Sequence, residues 1–248
     1  MTAAPGPNAA PAGPDAVDAP YEEIDVFADW GIRALTTTRD AGSFAVAGSE
    51  PVGDVMARWS RLREALGPAG RRFATASQVH GARVLVHGAG WAGWLRADAA
   101  DGHLSTERAT SFAVTVADCV PVFIAHPGGA EALLHAGWRG TVAGIVPAAI
   151  HLLAERGLPP AELRVHAGPA ICGRCYEVSP DVHALLTGRA VAEPTAVDLR
   201  AVIAQQAHAV GVRAVTASAL CTRCDNDRLF SHRAGDAGRQ LGVLATPS

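Results

Sequence analysis

A chain of 248 residues that is 49% hydrophobic and 18% charged holds enough apolar material for one large core or two modest ones. Its formal charge of −3 gives no broad attraction to nucleic acid or to an anionic membrane surface. Every cationic side chain is an arginine, which excludes chemistry that needs a lysine: Schiff bases, pyridoxal phosphate and P-loop nucleotide hydrolysis.

The first 20 residues are almost entirely Ala, Pro, Gly and Asp, with neither a basic n-region nor an apolar h-region. They read as a disordered tail ahead of a single domain over residues 21–248. No stretch approaches the ~18 consecutive apolar residues of a membrane span. Five cysteines, an odd number, without a secretion signal point to reduced thiols and a cytoplasmic location.

Along the chain, Ile32–Thr38 is β-rich and ends at Arg39. Val55, Trp59, Leu62 and Leu66 recur at helical spacing over 54–66, and Gly67-Pro68 stops the helix. Phe73–Val79 and Arg83–His87 read as strands, with the Gly- and Trp-rich run 88–94 as a loop. Ser111–Ala117 and Val120–Ala125 are apolar runs interrupted by Asp118-Cys119. Leu133–His135 is the next strand, followed by one long helix to about Arg156. Leu163–Ala167 is extended, Pro180–Leu186 and Arg200–Val210 are helical, and Val212–Ala219 is the last expected strand, ahead of a Cys-rich tail. Strands and helices alternate irregularly, which favours a single-domain, mixed-sheet α/β sandwich over a doubly wound sheet.

Three residues share a placement. His80, Cys119 and His135 each end an apolar, strand-like run, so they can converge at a sheet edge. Two imidazoles and a thiolate form a donor set for Zn²⁺ or copper, and three protein ligands leave one tetrahedral position open, the catalytic arrangement. Taken singly, each is more often a structural residue than a ligand; the joint placement carries the reading. His135 also begins His135-Ala-Gly-Trp-Arg-Gly, a turn too rich in functional groups for mere chain reversal. Two C-x-x-C pairs, Cys172/Cys175 and Cys221/Cys224, form a rival pattern for a closed zinc site, although the segment between them is longer than in a usual zinc ribbon. Arg39, Arg139 and Arg233 follow apolar runs in turns and suit a bidentate grip on phosphate or carboxylate; the plain alternative is a solvated surface residue.

Ser77-Gln-Val-His80-Gly, Ala117-Asp-Cys119-Val-Pro-Val, His135-Ala-Gly-Trp-Arg-Gly, Gly168-Pro-Ala-Ile-Cys-Gly-Arg-Cys-Tyr-Glu-Val, Leu229-Phe-Ser-His-Arg and Gly238-Arg239 occur in this order. Together they resemble the laccase-domain (multicopper polyphenol oxidase-like) purine nucleoside phosphorylase family, which includes the peptidoglycan editing factor. The resemblance implies a single α/β domain with His80, Cys119 and His135 as metal ligands. It also implies phosphorolysis of adenosine, inosine, guanosine or methylthioadenosine, and deamination of adenosine. Purine nucleoside and phosphate are then the expected partners, and Zn²⁺, or copper, the expected ion.

The chain departs from the family pattern at its substrate end. Arg39 is followed by a short Asp-Ala-Gly in place of a Gly-Gly-Val-Ser loop, and Ala45 stands where an Asn is usual. A later Phe-Ser-Tyr-Arg-Arg pattern reads Phe230-Ser-His232-Arg233-Ala234. The expected roles are a metal activating water or substrate, Asp118 as the catalytic carboxylate that relays protons or orients its neighbour, and Arg39, Arg139 and Arg233 on the substrate. Two alternatives remain open at this level. One is an amide hydrolase acting on a cell-wall precursor through the same His/Cys site; the other is a binding protein whose catalytic site has decayed.

Overall fold

The computed structural model describes residues 20–246, so the expected tail lies outside the described residues apart from Pro20. The first part of the chain carries β1 (Tyr21–Glu23), β2 (Arg33–Thr37), α1 (Val52–Ala65), β3 (Arg72–Ala76), β4 (Val84–His87), β5 (Gly93–Ala97), β6 (Gly102–Ser105) and β7 (Thr110–Val116). Then come β8 (Val120–Ala125), β9 (Glu131–Ala136), α2 (Trp138–Val142), α3 (Ile145–Ala154) and β10 (Arg164–Ala167). The chain continues with β11 (Glu177–Val178), α4 (Pro180–Thr187), β12 (Thr195–Ala196), α5 (Leu199–Ala209), β13 (Ala214–Ala217) and β14 (Gln240–Ala245).

Twelve of the strands form two six-stranded mixed sheets, ordered β1-β2-β14-β7-β3-β5 and β13-β10-β8-β9-β6-β4. Side chains alternate across a strand, so each sheet has two faces to cover. Phe112, Val114 and Val116 of β7 meet Phe123 and Ala125 of β8 and Leu133 of β9, which forms the layer between the sheets. Val120, Val122 and Ile124 of β8, with Ala132 and Leu134 of β9, point the other way onto Ile145, Val146, Ala149 and Ile150 of α3 and Ile203 of α5. The outer face of the first sheet (Leu35, Phe73, Ala113, Val243) packs on Val55 and Trp59 of α1. Burial on both faces explains why β8 and β9 are almost continuously apolar rather than alternating. The expected α/β sandwich is therefore present, with helices outside two stacked sheets. No helix among the described residues is long and apolar enough to cross a membrane.

Three sequence-based expectations are corrected. The single helix expected after His135 is two, because Gly144 adopts a left-handed φ of +76° between α2 and α3 and turns the axis. Val142, at the end of α2, is 38% exposed. Val212–Ala219 is not the last strand: β14 lies beyond it, in the interior of the first sheet between β2 and β7. Its Gly242 obscures the pattern and marks a close approach of the two sheets, since a Cβ there would lie 2.8 Å from Pro121 Cβ and 3.2 Å from Phe123 Cζ. The run 88–94 is a loop only up to β5, which starts at Gly93, and β6 was not expected.

One polar pair lies against the inter-sheet core. His87 Nε2 and His103 Nδ1 are 2.9 Å apart, and the His103 ring stacks on Phe112. Burial, then the charge of His87, pushes His103 down to about 3, and burial also lowers His87. Unfolded histidine titrates near 6.5, so below that pH the unfolded chain binds protons that the native state refuses. Stability should therefore be full above about pH 6.5 and fall as the pH drops toward 3, at up to about 1.4 kcal/mol per pH unit for His103. Urea midpoints measured between pH 7 and pH 4 check this, and His103→Phe should flatten the profile.

Candidate metal centre and the cavity around it

Cys119 sits where the chain passes from one sheet to the other. β7 belongs to the first sheet and β8 to the second, joined only by Ala117-Asp118-Cys119. Asp118 makes the crossing with a φ of +82°, a left-handed conformation in which Asp is among the better-tolerated side chains. His135 lies near the end of β9 in the second sheet, one strand away from Cys119. His80 comes from the first sheet: β3 stops at Ala76 and Ser77–Gly81 turn out of it, with His80 at a φ of +61°. The three residues thus meet at the common edge of two sheets, not at the edge of one.

Their ligand atoms all lie within 4.8 Å of one another. The His80 and His135 rings stand edge to face with centroids 4.8 Å apart. His135 is buried, Cys119 half-buried and His80 exposed, so the cluster is closed behind and open in front. Its rear wall requires glycine. A Cβ on Gly137 would lie 2.9 Å from Cys119 Sγ and 3.3 Å from His80 Cδ2, and one on Gly140 would lie 2.7 Å from the Gly81 carbonyl oxygen. Both glycines of His-Ala-Gly-Trp-Arg-Gly therefore serve close approach. Two imidazoles and a thiol grouped this tightly, with one side open, fit a single Zn²⁺ or copper ion.

The residue that arranges the cluster is one that the sequence reading missed. Asp101, just ahead of β6, has no exposed side-chain surface. Its carboxylate accepts the backbone N–H groups of Val79 (3.2 Å), His80 (2.9 Å) and Gly81 (2.8 Å), and its Oδ1 lies 2.8 Å from His135 Nδ1. It thus holds the left-handed His80 turn and fixes the His135 ring so that Nε2 remains for the cluster. Burial raises the Asp101 carboxyl, but the bonds from His135, Gly81 and His80 outweigh it and hold it below the ordinary value. Burial likewise disfavours a charged His135, yet its bonds to Asp101 and Cys119 raise it to about 9. Burial pushes the Cys119 thiol up, and the bonds and charges of His135 and His80 bring it down to about 6. A thiol held in that way is ready to be a thiolate at neutral pH.

Gln78 explains the rest of its motif. Its side-chain amide donates to the Thr115 carbonyl (2.8 Å), and its carbonyl accepts from Thr115 N–H (2.8 Å) and Oγ1 (2.7 Å), which continues the β3–β7 pairing past the end of β3.

In front of the cluster lies a cavity of about 640 Å³, bordered by His80, Cys119 and His135 at its base. Arg139 and Arg233 border it, together with Arg96 and Arg239, which the sequence reading did not single out as site residues. Asp118 is the one carboxylate among the bordering residues. Phe44, Trp138 and Tyr176 supply aromatic surface. Burial, reinforced by the charge on Cys119, pushes Tyr176 up to about 12, so its phenol stays protonated. Arg139 lies over the Trp138 ring at 4.3 Å and forms no ion pair among the described residues. Arg233 donates to the Glu177 carbonyl and lies over Tyr176.

Arg39 is not part of this cavity. Its guanidinium donates to the carbonyls of Asn226 (2.6 Å) and Leu229 (3.1 Å), pairs with Asp236 and lies over Phe230. The bond from Arg39 holds Asp236 down to about 2. Arg39 is a clasp on the 226–236 segment. Asp118 borders the cavity, but its carboxylate accepts three bonds: from Thr222 Oγ1 (2.6 Å), Ser231 Oγ (2.8 Å) and Arg233 N–H (2.6 Å). The carboxylate that touches the His135 imidazole is Asp101, not Asp118.

Comparison with known proteins agrees with this architecture. A Streptomyces coelicolor protein named purine nucleoside phosphorylase is 36% identical over 226 residues, covering 87% of this chain and 91% of its own. A Corynebacterium glutamicum protein of the same name is 32% identical over 235 residues, covering 87% and 95%. The crystal structure of YlmD from Geobacillus stearothermophilus superposes with a TM-score of 0.79 at 27% identity, over 88% of this chain and 93% of that one. That of the Bacillus licheniformis hypothetical protein YfiH gives 0.82 at 24% identity, over 95% and 100%, which supports the fold alone. Residues 43–247 match the family model described as multi-copper polyphenol oxidoreductase laccase, and the chain belongs to that laccase-domain family.

Proposed function

We propose that this chain is a metal-dependent purine nucleoside phosphorylase that works in the cytoplasm, with residues 21–248 as its single domain. One observation carries the reading: a cavity with a two-imidazole, one-thiol cluster at its base, bordered by four arginines and aromatic side chains. Two curated relatives described above bear the name of that activity, and all five cysteines are unbonded, as suits a reducing compartment.

Phosphorolysis joins a phosphate oxygen to C1′ of the ribose and breaks the bond from C1′ to the purine nitrogen, which leaves with the electron pair. The products are the base and sugar 1-phosphate. Arg139 and Arg233, with Arg96 and Arg239 beside them, are the arginines that border the cavity in a chain without lysine, and they would hold phosphate as charge builds on the sugar. Trp138, Tyr176 and Phe44 offer faces for the purine, and the protonated Tyr176 hydroxyl a donor for it. His80, Cys119 and His135 would hold the ion, with Asp101 positioning two of them. A bound divalent ion supplies Lewis acidity to an electronegative atom of the substrate. The donor set suits one ion rather than the copper cluster of a true multicopper oxidase, which needs many more histidines.

The family resemblance also implies adenosine deamination, which needs a proton relay at the purine amino group. Asp118 already accepts three hydrogen bonds, so in this reading it positions Arg233 and the neighbouring Cys119. Phosphorolysis is therefore the reaction that the geometry favours.

His80→Ala should remove the ion and nucleoside phosphorolysis together, read by metal analysis and a panel of nucleosides with phosphate; full turnover in metal-free His80→Ala protein would overturn the reading. Asp101→Asn should weaken metal affinity by about 10–100-fold, measured by competition with a chelator. Arg139→Ala should raise the KM for phosphate by about 10–100-fold, the worth of a charge-assisted bond. Arg39→Ala should leave that KM unchanged and instead lower stability by about 1–3 kcal/mol in urea unfolding.

A further inference from the structure

The two C-x-x-C pairs lie outside the cavity chemistry and come together in space. Cys172 and Cys175 are in the turn that follows β10; Cys221 and Cys224 are in the turn that follows β13. All four sulfurs lie within 4.8 Å of one another, with Cys175 Sγ and Cys224 Sγ 3.5 Å apart, and none is in a disulfide. Tetrahedral coordination by four sulfurs at a Zn–S distance of about 2.3 Å spaces them about 3.8 Å apart, so small rotations suffice to complete it.

The backbone around them is built for sulfur that carries negative charge. Cys221 Sγ accepts the N–H groups of Cys172 (3.2 Å) and Cys224 (3.4 Å), one from each turn. The turns are themselves tied together. Ala170 bridges Cys221, Thr222 N–H donates to the Ala170 carbonyl (3.2 Å), and Arg223 donates to the Cys175 carbonyl (3.4 Å). Each motif also places an arginine, Arg174 or Arg223, just before its second cysteine, which offsets the net negative charge of a four-thiolate zinc site.

We propose that Cys172, Cys175, Cys221 and Cys224 bind one structural Zn²⁺, separate from the His80/Cys119/His135 cluster. Four protein ligands close the coordination shell, so this ion takes no part in chemistry. It braces the wall of the cavity. Thr222, inside the second motif, donates to the Asp118 carboxylate, Ile171 N–H donates to the Asp118 carbonyl (3.1 Å), and Tyr176 follows Cys175 directly into the cavity border. The laccase-like domain thus carries a second metal position, which stands whether or not the proposed activity does.

The test uses the full chain with the first cluster disabled, His80→Ala/Cys119→Ser, purified anaerobically with a thiol reductant and no chelator. Elemental analysis should find one equivalent of zinc, and exchange for Co²⁺ should give the intense thiolate charge-transfer and visible bands of a tetrahedral four-sulfur site. Adding Cys175→Ser and Cys224→Ser to that protein should abolish both signals. Should that variant fail to fold, Cys224→His alone should keep the zinc and shift the cobalt bands, as three sulfurs and one nitrogen require. No zinc in the His80→Ala/Cys119→Ser protein, iron in its place, a mass showing disulfides among these cysteines, or cobalt bands unmoved by Cys224→His would each overturn the proposal.

Discussion

The site depends on one buried carboxylate. Asp101 has no exposed side-chain surface and gathers three backbone N–H groups from the His80 turn and the imidazole of His135. Taking a carboxylate out of water costs several kcal/mol unless its oxygens are satisfied. Here the cost is met by groups that must themselves be held still: a left-handed turn that would otherwise be strained and a ring that would otherwise rotate. One polar centre therefore sets the conformation of His80 from one sheet and the ring orientation of His135 from the other.

The arginines divide into two populations with opposite employment. Arg39 and Arg200 are consumed by backbone carbonyls, Arg39 on the 226–236 segment and Arg200 on Ser218 and Leu220. Arg139 borders the cavity with no ion pair among the described residues, and Arg233 borders it while sharing both terminal nitrogens with the single Glu177 carbonyl. A guanidinium can serve either way because its five donors lie in a fixed plane, suited both to cradling chain ends and to gripping an oxyanion. In a chain without lysine the distinction is made by surroundings alone, and Asp118 helps make it by anchoring the Arg233 backbone.

How much of this was legible in the sequence follows from where each signal resides. His80, Cys119 and His135 sit in short motifs whose neighbours must be particular residues, Gly137 and Gly140 for close approach and Gln78 for strand-like pairing, so the motif itself carries the geometry. The mixed-sheet α/β sandwich was legible from the irregular alternation of strands and helices; its division into two stacked sheets was not, because strand pairing is set by distant partners. Asp101 was not, because an Asp before a Gly reads as a turn residue and nothing local reveals that its partners lie 20 and 34 positions away. The partners of Arg39 were hidden for the same reason: they lie nearly two hundred residues later. β14 was hidden because a glycine interrupts its pattern, and that glycine is required by a neighbouring sheet that the sequence does not display.

The position of Cys119 gives the fold a property that single-sheet sites lack. The cluster spans two sheets that touch through a greasy layer and are joined covalently beside it by short connections, Ala117–Cys119 from β7 to β8 and 77–83 from β3 to β4. Sliding of one sheet over the other by a fraction of an ångström changes the spacing of His80 and His135 directly. The centre is thus a vernier on the packing between layers. A bulkier residue at Gly242, remote in sequence and pressed against Pro121 and Phe123, would be felt as an altered spacing of the cluster before it was felt as unfolding.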